Sequence, residues 1–168
     1  ILWISCLLYA SSLVLAVWRL ALGKPYRRWP KLALVAPGFF LHTFFLWNRG
    51  ISEGRCPVAN LFETLTFIAW CLVALHLLAT TLARLNFLTA FYIPLVLAIQ
   101  FAALVLPTDQ PLIGPPSWTE GAWLGMHASV ILLAYAAFGL AGSVAVMHLV
   151  QERQLRRHRL SPGFMLLP

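Results

Sequence analysis

The sequence predicts an all-α polytopic membrane bundle, and three observations carry that reading. First, 61% of the 168 residues are hydrophobic and only 10% are charged, where a soluble domain carries roughly 25% charged residues. Second, the apolar runs are long enough for spanning helices, which need ~20 residues each. Third, they lack the alternation over about ten residues that marks a membrane barrel strand. Inside a bilayer the backbone must satisfy itself, which leaves helices as the remaining solution.

Five helices are expected, at about 1–22, 32–47, 61–83, 85–106 and 123–150, in a single membrane domain over 1–168 with a basic tail at 151–168. The first reads as a spanning helix and not a signal peptide, because its positive charge follows the apolar run. Lys24, Arg27, Arg28 and Lys31 fill the connector after it, Arg84 marks the third connector, and Arg153, Arg156, Arg157 and Arg159 follow the fifth helix. With Arg19, ten of the twelve Lys and Arg then fall on one side, and Arg49 and Arg55 fall on the other. Basic residues collect in the cytoplasm. The N-terminus and the loops at 48–60 and 107–122 are therefore expected outside, and the C-terminal tail inside.

Pro94 is expected to kink the fourth helix, and Gly139 and Gly142 to let the fifth approach its neighbours. The net charge of +7 orients helices and gives no sign of nucleic-acid binding. Cys6, Cys56 and Cys71 are scattered, with no Cys-x-x-Cys or Cys-x-x-Cys-His. That excludes the usual thiol oxidoreductase and an attached c-type cytochrome.

Chemistry concentrates where the second apolar run gives way to the third. Pro57, Asn60 and Glu63 recur there at three-residue spacing. A carboxylate at the threshold of an apolar segment costs free energy unless water, a partner or a helix end meets it. One reading makes Asn60 the N-cap of the third helix, with Glu63 at its third position facing the positive end of the helix dipole. The other places Glu63 in a polar pocket entrance.

Four histidines lie in or beside the spans. His42 and His127 share the expected outer depth, and His76 and His148 the inner one. His127 and His148 are 21 residues apart, roughly 31 Å along a helix. Neutral imidazole ligates haem iron, so each pair could hold a haem, as in a diheme cytochrome b. Hydrogen-bonded packing is the alternative. His158, in the basic tail, reads as solvated. Trp47, Trp118 and Trp123 read either as an interfacial belt or as an aromatic surface for a flat apolar ligand.

Three ordered segments resemble one family. They are His42-Thr-Phe-Phe-Leu-Trp-Asn-Arg49 with Gly54-Arg-Cys-Pro-Val-Ala-Asn-Leu-Phe-Glu63, then Trp123-Leu-Gly-Met-His127-Ala-Ser129 with Tyr135-Ala136, then Gln151-Glu-Arg-Gln-Leu-Arg156. Together they resemble CcsA/ResC-type membrane proteins, which assemble c-type cytochromes in the system II pathway. The related HemX/YpjD-like branch shares the plan. Arg55 stands where the family has His, Phe62 where it has Tyr and Thr64 where it has Ser, while Trp70 keeps its place.

The resemblance implies a haem-handling component that presents haem, expected as haem b, at the outer face. Apocytochrome c thiols add to the haem vinyl groups there. His127 is the implied axial ligand of the iron, and His42, Glu63, Asn60, Pro57 and Trp123 the implied pocket residues. No catalytic residue is assigned. Implied partners are haem, apocytochrome c and other membrane subunits, in a bacterial inner membrane or its organellar equivalent. The family's tryptophan-rich loop and second external histidine come later in its sequence than this chain reaches. A non-catalytic accessory subunit is the alternative on that ground, and a diheme electron-transfer subunit is the third reading.

Overall fold

The computed structural model describes residues 1–22, 28–82, 88–108 and 122–156, with the side chains of 28–31 and 122 excepted. Trp118, Arg84, the acids Asp109 and Glu120 and the tail from residue 157, with His158, lie outside the described residues.

Five helices form, and the described residues contain no strand: α1 (Leu2–Ala21), α2 (Arg28–Glu53), α3 (Leu61–Leu82), α4 (Thr89–Val105) and α5 (Ala122–Arg156). By length and composition α1, α3 and α5 can cross a membrane, and α4 is a shorter apolar helix of 17 residues. Two helices outrun their apolar segments. α2 continues from 47 through Asn48 and Arg49 to Glu53, and α5 continues from 150 to Arg156. Hydropathy marks where a segment leaves an apolar medium, whereas the backbone ladder continues as long as caps and side-chain pairs support it. In α5 the extension carries a Glu152–Arg156 pair at 2.6 Å, one turn apart. α2 stops at Gly54, whose φ of +63° is the left-handed conformation that ends helices.

The packing order follows from buried stripes. α1 buries Leu2, Ser5, Tyr9, Ser12 and Ala16, and packs on α2 and α4. α4 buries Thr89, Tyr92, Ile93, Val96, Gln100 and Ala103 and packs on α1, α3 and α5. α3 meets α2, α4 and α5, so α3 and α4 form the centre. Their shared core gathers Leu72, Val73, Leu88, Tyr92, Ile93 and Val96.

The pattern differs from that of a soluble bundle. Ser5, Ser12, His42, Thr66, His76 and Gln100 are buried beside the apolar core, while Leu7, Val14, Phe40, Leu82, Val105 and Phe138 are exposed. In lipid the hydrophobic effect does not drive helices together, and small and polar residues line the contacts instead.

Gly139 fits its expected role. A Cβ there would lie 3.0 Å from Leu72 and 3.1 Å from Leu95, so its absence brings α5 close to α3 and α4. Gly142 does not: open space surrounds it. It falls one position off the stripe of Leu132, Ala136, Ser143 and Met147 that α5 buries.

Candidate functional site at the Glu63 end

The chain turns sharply between α2 and α3. After Gly54, the Val58 N–H donates to the Cys56 carbonyl at 2.9 Å. Asn60 then caps α3 as its sequence position predicts: Oδ1 accepts the Glu63 N–H at 2.8 Å, and the Asn60 carbonyl accepts the Thr64 N–H at 2.9 Å. Such a cap contributes about 1 kcal/mol.

Glu63 is only 1% exposed. Its carboxylate accepts four hydrogen bonds. Arg55 donates two, from Nη1 at 2.8 Å and Nη2 at 3.2 Å, Arg49 Nε donates one at 3.0 Å, and the Ala59 N–H donates one at 3.0 Å. Burying a carboxylate alone costs several kcal/mol, and a bidentate guanidinium with further donors is the arrangement that offsets it. Glu53 lies against both arginines, 3.4 Å from Arg49 and 3.5 Å from Arg55. Two arginines and two glutamates leave the cluster with no net charge. The bonds to Glu63 hold the Arg55 guanidinium above its ordinary pKa, against the opposing effect of its burial.

The cluster ties three elements together. Arg49 comes from the last turns of α2, Arg55 from the turn and Glu63 from the first turn of α3. Arg49 Nη2 also reaches the Thr108 carbonyl at 3.2 Å, just past α4. Glu63 therefore does more than cap a helix, and sequence reasoning missed both of its arginines. In the sequence Arg49 and Arg55 stand as the minority charges of the outer side, and Arg55 as a departure from a family motif. The signal was present all the same: these two lone cations flank a threshold carboxylate by 14 and 8 residues.

Beside the cluster lies a cavity of about 360 Å³ between α2, the turn and α3. Thr43, Leu46, Trp47, Gly50, Ile51, Arg55, Cys56, Pro57, Phe67 and Trp70 line it. Trp70 is fixed by its Nε1–H donating to Thr43 Oγ1 at 2.8 Å and by stacking on Phe39 at 5.5 Å. Phe67 leans on Trp70 at 5.6 Å. The result is an apolar, aromatic groove with one guanidinium in its wall. Pro57 lines it directly, whereas Asn60 and Glu63 support it through Arg55 and the turn. Trp47, 68% exposed, forms part of it. Trp47 is one of the tryptophans expected as an interfacial belt or an aromatic surface for a flat ligand, whereas the arginines are not among the expected pocket residues.

α5 also meets the turn, at Cys56. Cys56 Sγ lies 3.4 Å from Ser129 Oγ, and a Cβ on Gly125 would come within 2.9 Å of the Cys56 Cβ. His127 is 200° around the helix from Gly125 at about 3.6 residues per turn, so it points away from the turn. It is exposed, as are Trp123, Met126 and Val130. His42 is fully buried, next to Tyr9 of α1. The imidazoles of His42 and His127 thus occupy different surroundings and are not presented to a common space. His76, the buried member of the inner pair, stacks on Tyr92 at 5.6 Å with Nε2 3.3 Å from Thr89 Oγ1, while His148 is exposed. Among the described residues no three His, Cys, Asp or Glu side chains converge as a metal site.

Comparisons with known proteins cover most of the chain. The family model described as "Cytochrome C assembly protein" matches residues 58–166. The cytochrome c biogenesis protein CcsA of Synechococcus sp. (strain JA-2-3B'a(2-13)) is 41% identical over 118 residues, covering 67% of this chain and 33% of that protein. CcsA of Synechococcus sp. (strain JA-3-3Ab) is 40% identical over 128 residues, covering 71% and 36%. CcsA of Gloeobacter violaceus is 31% identical over 148 residues, covering 83% and 44%. The chain thus spans between a third and a half of the length of these relatives. No solved structure matches it. These similarities favour neither the diheme electron-transfer reading nor the accessory-subunit reading. With helices long and apolar enough to cross a bilayer and a family match over most of its length, the chain is an integral membrane protein that belongs to the cytochrome c assembly protein family.

Proposed function

We propose that this chain handles haem during c-type cytochrome assembly, and that it does so at the Glu63 end of the bundle, on the outer face of the membrane. Haem is cargo in this reading. The observation that supports it is the aromatic groove with Arg55 in its wall. A flat apolar macrocycle with an anionic edge matches Trp47, Phe67 and Trp70 beside a guanidinium, and the Glu63 cluster fixes the geometry. His127 lies on the exposed face of α5 and is turned away from the groove, so its role as the iron's axial ligand rests on the family resemblance and not on the groove, with Trp123 one turn before it on the same face. His42 is the least accessible of the proposed ligands. The cargo is haem b, and the partners are other membrane subunits and apocytochrome c. The charge split supports an N-terminus outside and a C-terminus inside, in a bacterial inner membrane or its organellar equivalent.

The test is haem content of the assembly purified with its native partners, read by absorbance. His127→Ala abolishes the haem signal and His148→Ala leaves most of it. Retention in His127→Ala with loss in His148→Ala rejects the assignment, and absence of haem from the intact wild-type assembly rejects haem handling.

A further inference from the structure

A second polar site lies inside the bundle, one helical turn from the Glu63 end. Leu2 of α1, Phe45 of α2, Phe62 of α3 and Ala103 of α4 pack into one apolar layer. Moving one turn away from the Glu63 end along each helix replaces every one of them with a polar residue. Ser5 stands three residues on from Leu2, His42 three before Phe45, Thr66 four after Phe62, and Gln100 three before Ala103. All four are fully buried, and so is Tyr9, one turn beyond Ser5.

The ring contacts close this layer. Tyr9 and His42 lie with ring centroids 6.4 Å apart. The Thr66 main chain faces His42 from α3. α4, which carries Gln100, packs on both α1 and α3. The hydroxyls of Ser5 and Thr66 donate to their own helices, to Leu2 and Phe62 at 2.8 Å each. The Tyr9 hydroxyl, both amide atoms of Gln100 and both ring nitrogens of His42 lack a fully formed hydrogen bond among the described residues. Three helices, α1, α2 and α4, therefore bring unmet donors and acceptors into this layer, while Thr66 of α3 is met within its own helix. In an apolar medium each such group carries a larger penalty than it would near water.

We infer that Tyr9, His42 and Gln100 line an internal water site, a hydrated layer sealed from the Glu63 end by Leu2, Phe45, Phe62 and Ala103. The chemistry selects water over other ligands. A buried water needs two to four polar partners, and hydroxyl, imidazole and carboxamide supply them in both senses. Among the described residues no carboxylate lies in the layer and no three metal-ligating side chains converge there to favour a divalent cation. Its side chains are fully buried and none of them lines the groove, which makes the inference independent of haem handling.

Water-edited solid-state NMR of the protein with ¹⁵N-labelled histidine in lipid bilayers tests it, with His42 assigned by the signal lost in His42→Gln. Magnetisation passes from water to the His42 ring nitrogens about as fast as to the amides of the 54–60 turn. Transfer as slow as to the apolar core around Val96 overturns the proposal, and the transfer itself is read on the wild-type protein. Gln100→Met keeps the volume but removes the amide: it slows the transfer to His42 and lowers the melting temperature. A raised melting temperature in Gln100→Met shows that the amide was a dry, unpaired group and also overturns the proposal.

Discussion

The Glu63 cluster and the His42 layer lie one turn apart in the same bundle, and they treat buried polarity in opposite ways. Around Glu63 every carboxylate oxygen is met by a donor, two of them guanidinium groups. Around His42 the groups are neutral and several are unmet by protein. The difference follows from the size of the penalty. An unpaired buried charge costs far more than an unpaired amide or hydroxyl, so the charged region has to be completed by the chain itself. A neutral layer can be completed by water. The first arrangement is rigid and fixes a turn and a groove. The second leaves room for exchange.

The largest effects come from breaking the charged region. Glu63→Ala leaves Arg49 and Arg55 with Glu53 as their remaining carboxylate and is expected to cost up to about 3–5 kcal/mol, the range for removing one partner of a buried ion pair. Thermal unfolding in detergent measures it. Glu63→Gln keeps the shape but loses the charge that both arginines face. It is expected to fall between Glu63→Ala and wild type, well above the loss of a cap alone. A wild-type melting temperature in Glu63→Gln would reduce the carboxylate to a helix-end device.

A smaller effect is expected at Asn60. Its side chain meets one backbone N–H, so Asn60→Ala should cost about 1 kcal/mol while Asn60→Asp stays near wild type. Equal losses in both variants would show that the amide makes a contact beyond the cap.

Two glycines on α5 give the sharpest contrast. Gly125→Ala sets a methyl 2.9 Å from the Cys56 Cβ and should destabilise by about 1–3 kcal/mol, because the turn behind Cys56 is held by the cluster. Gly142→Ala enters open space and should be neutral or stabilise by up to about 1 kcal/mol through helix propensity. The same melting curves read both, and equal responses would contradict the placement of α5.

Much of this architecture was legible before any coordinates. Long apolar runs announce spanning helices because the bilayer allows little else, and Asn60 announces a cap because its side chain fits that position. The ends of α2 and α5 were not legible, since helical hydrogen bonding continues past the point where the chain becomes polar. The partners of Glu63 were also hidden. Arg49 and Arg55 look like ordinary loop charges until the turn at Gly54 folds them back, and that fold depends on one left-handed residue. The buried stripe of Ser5, Tyr9 and Ser12 was obscured because α1 is apolar overall, and a lipid-facing helix hides its polar side among hydrophobic residues. His127 was legible as a residue, but its direction was not: only the contact of Gly125 and Ser129 with Cys56 turns it away from the groove.

A double-mutant cycle on Glu63 and Arg55, read as unfolding free energy for Glu63→Gln, Arg55→Gln and the pair, tests most directly whether the charge cluster builds this end of the molecule. A coupling of about 2 kcal/mol or more is predicted, as for contacting residues in one buried network. Additive losses within about 0.5 kcal/mol would mean that Glu63 and Arg55 act separately, and would contradict a groove held in place by their contact.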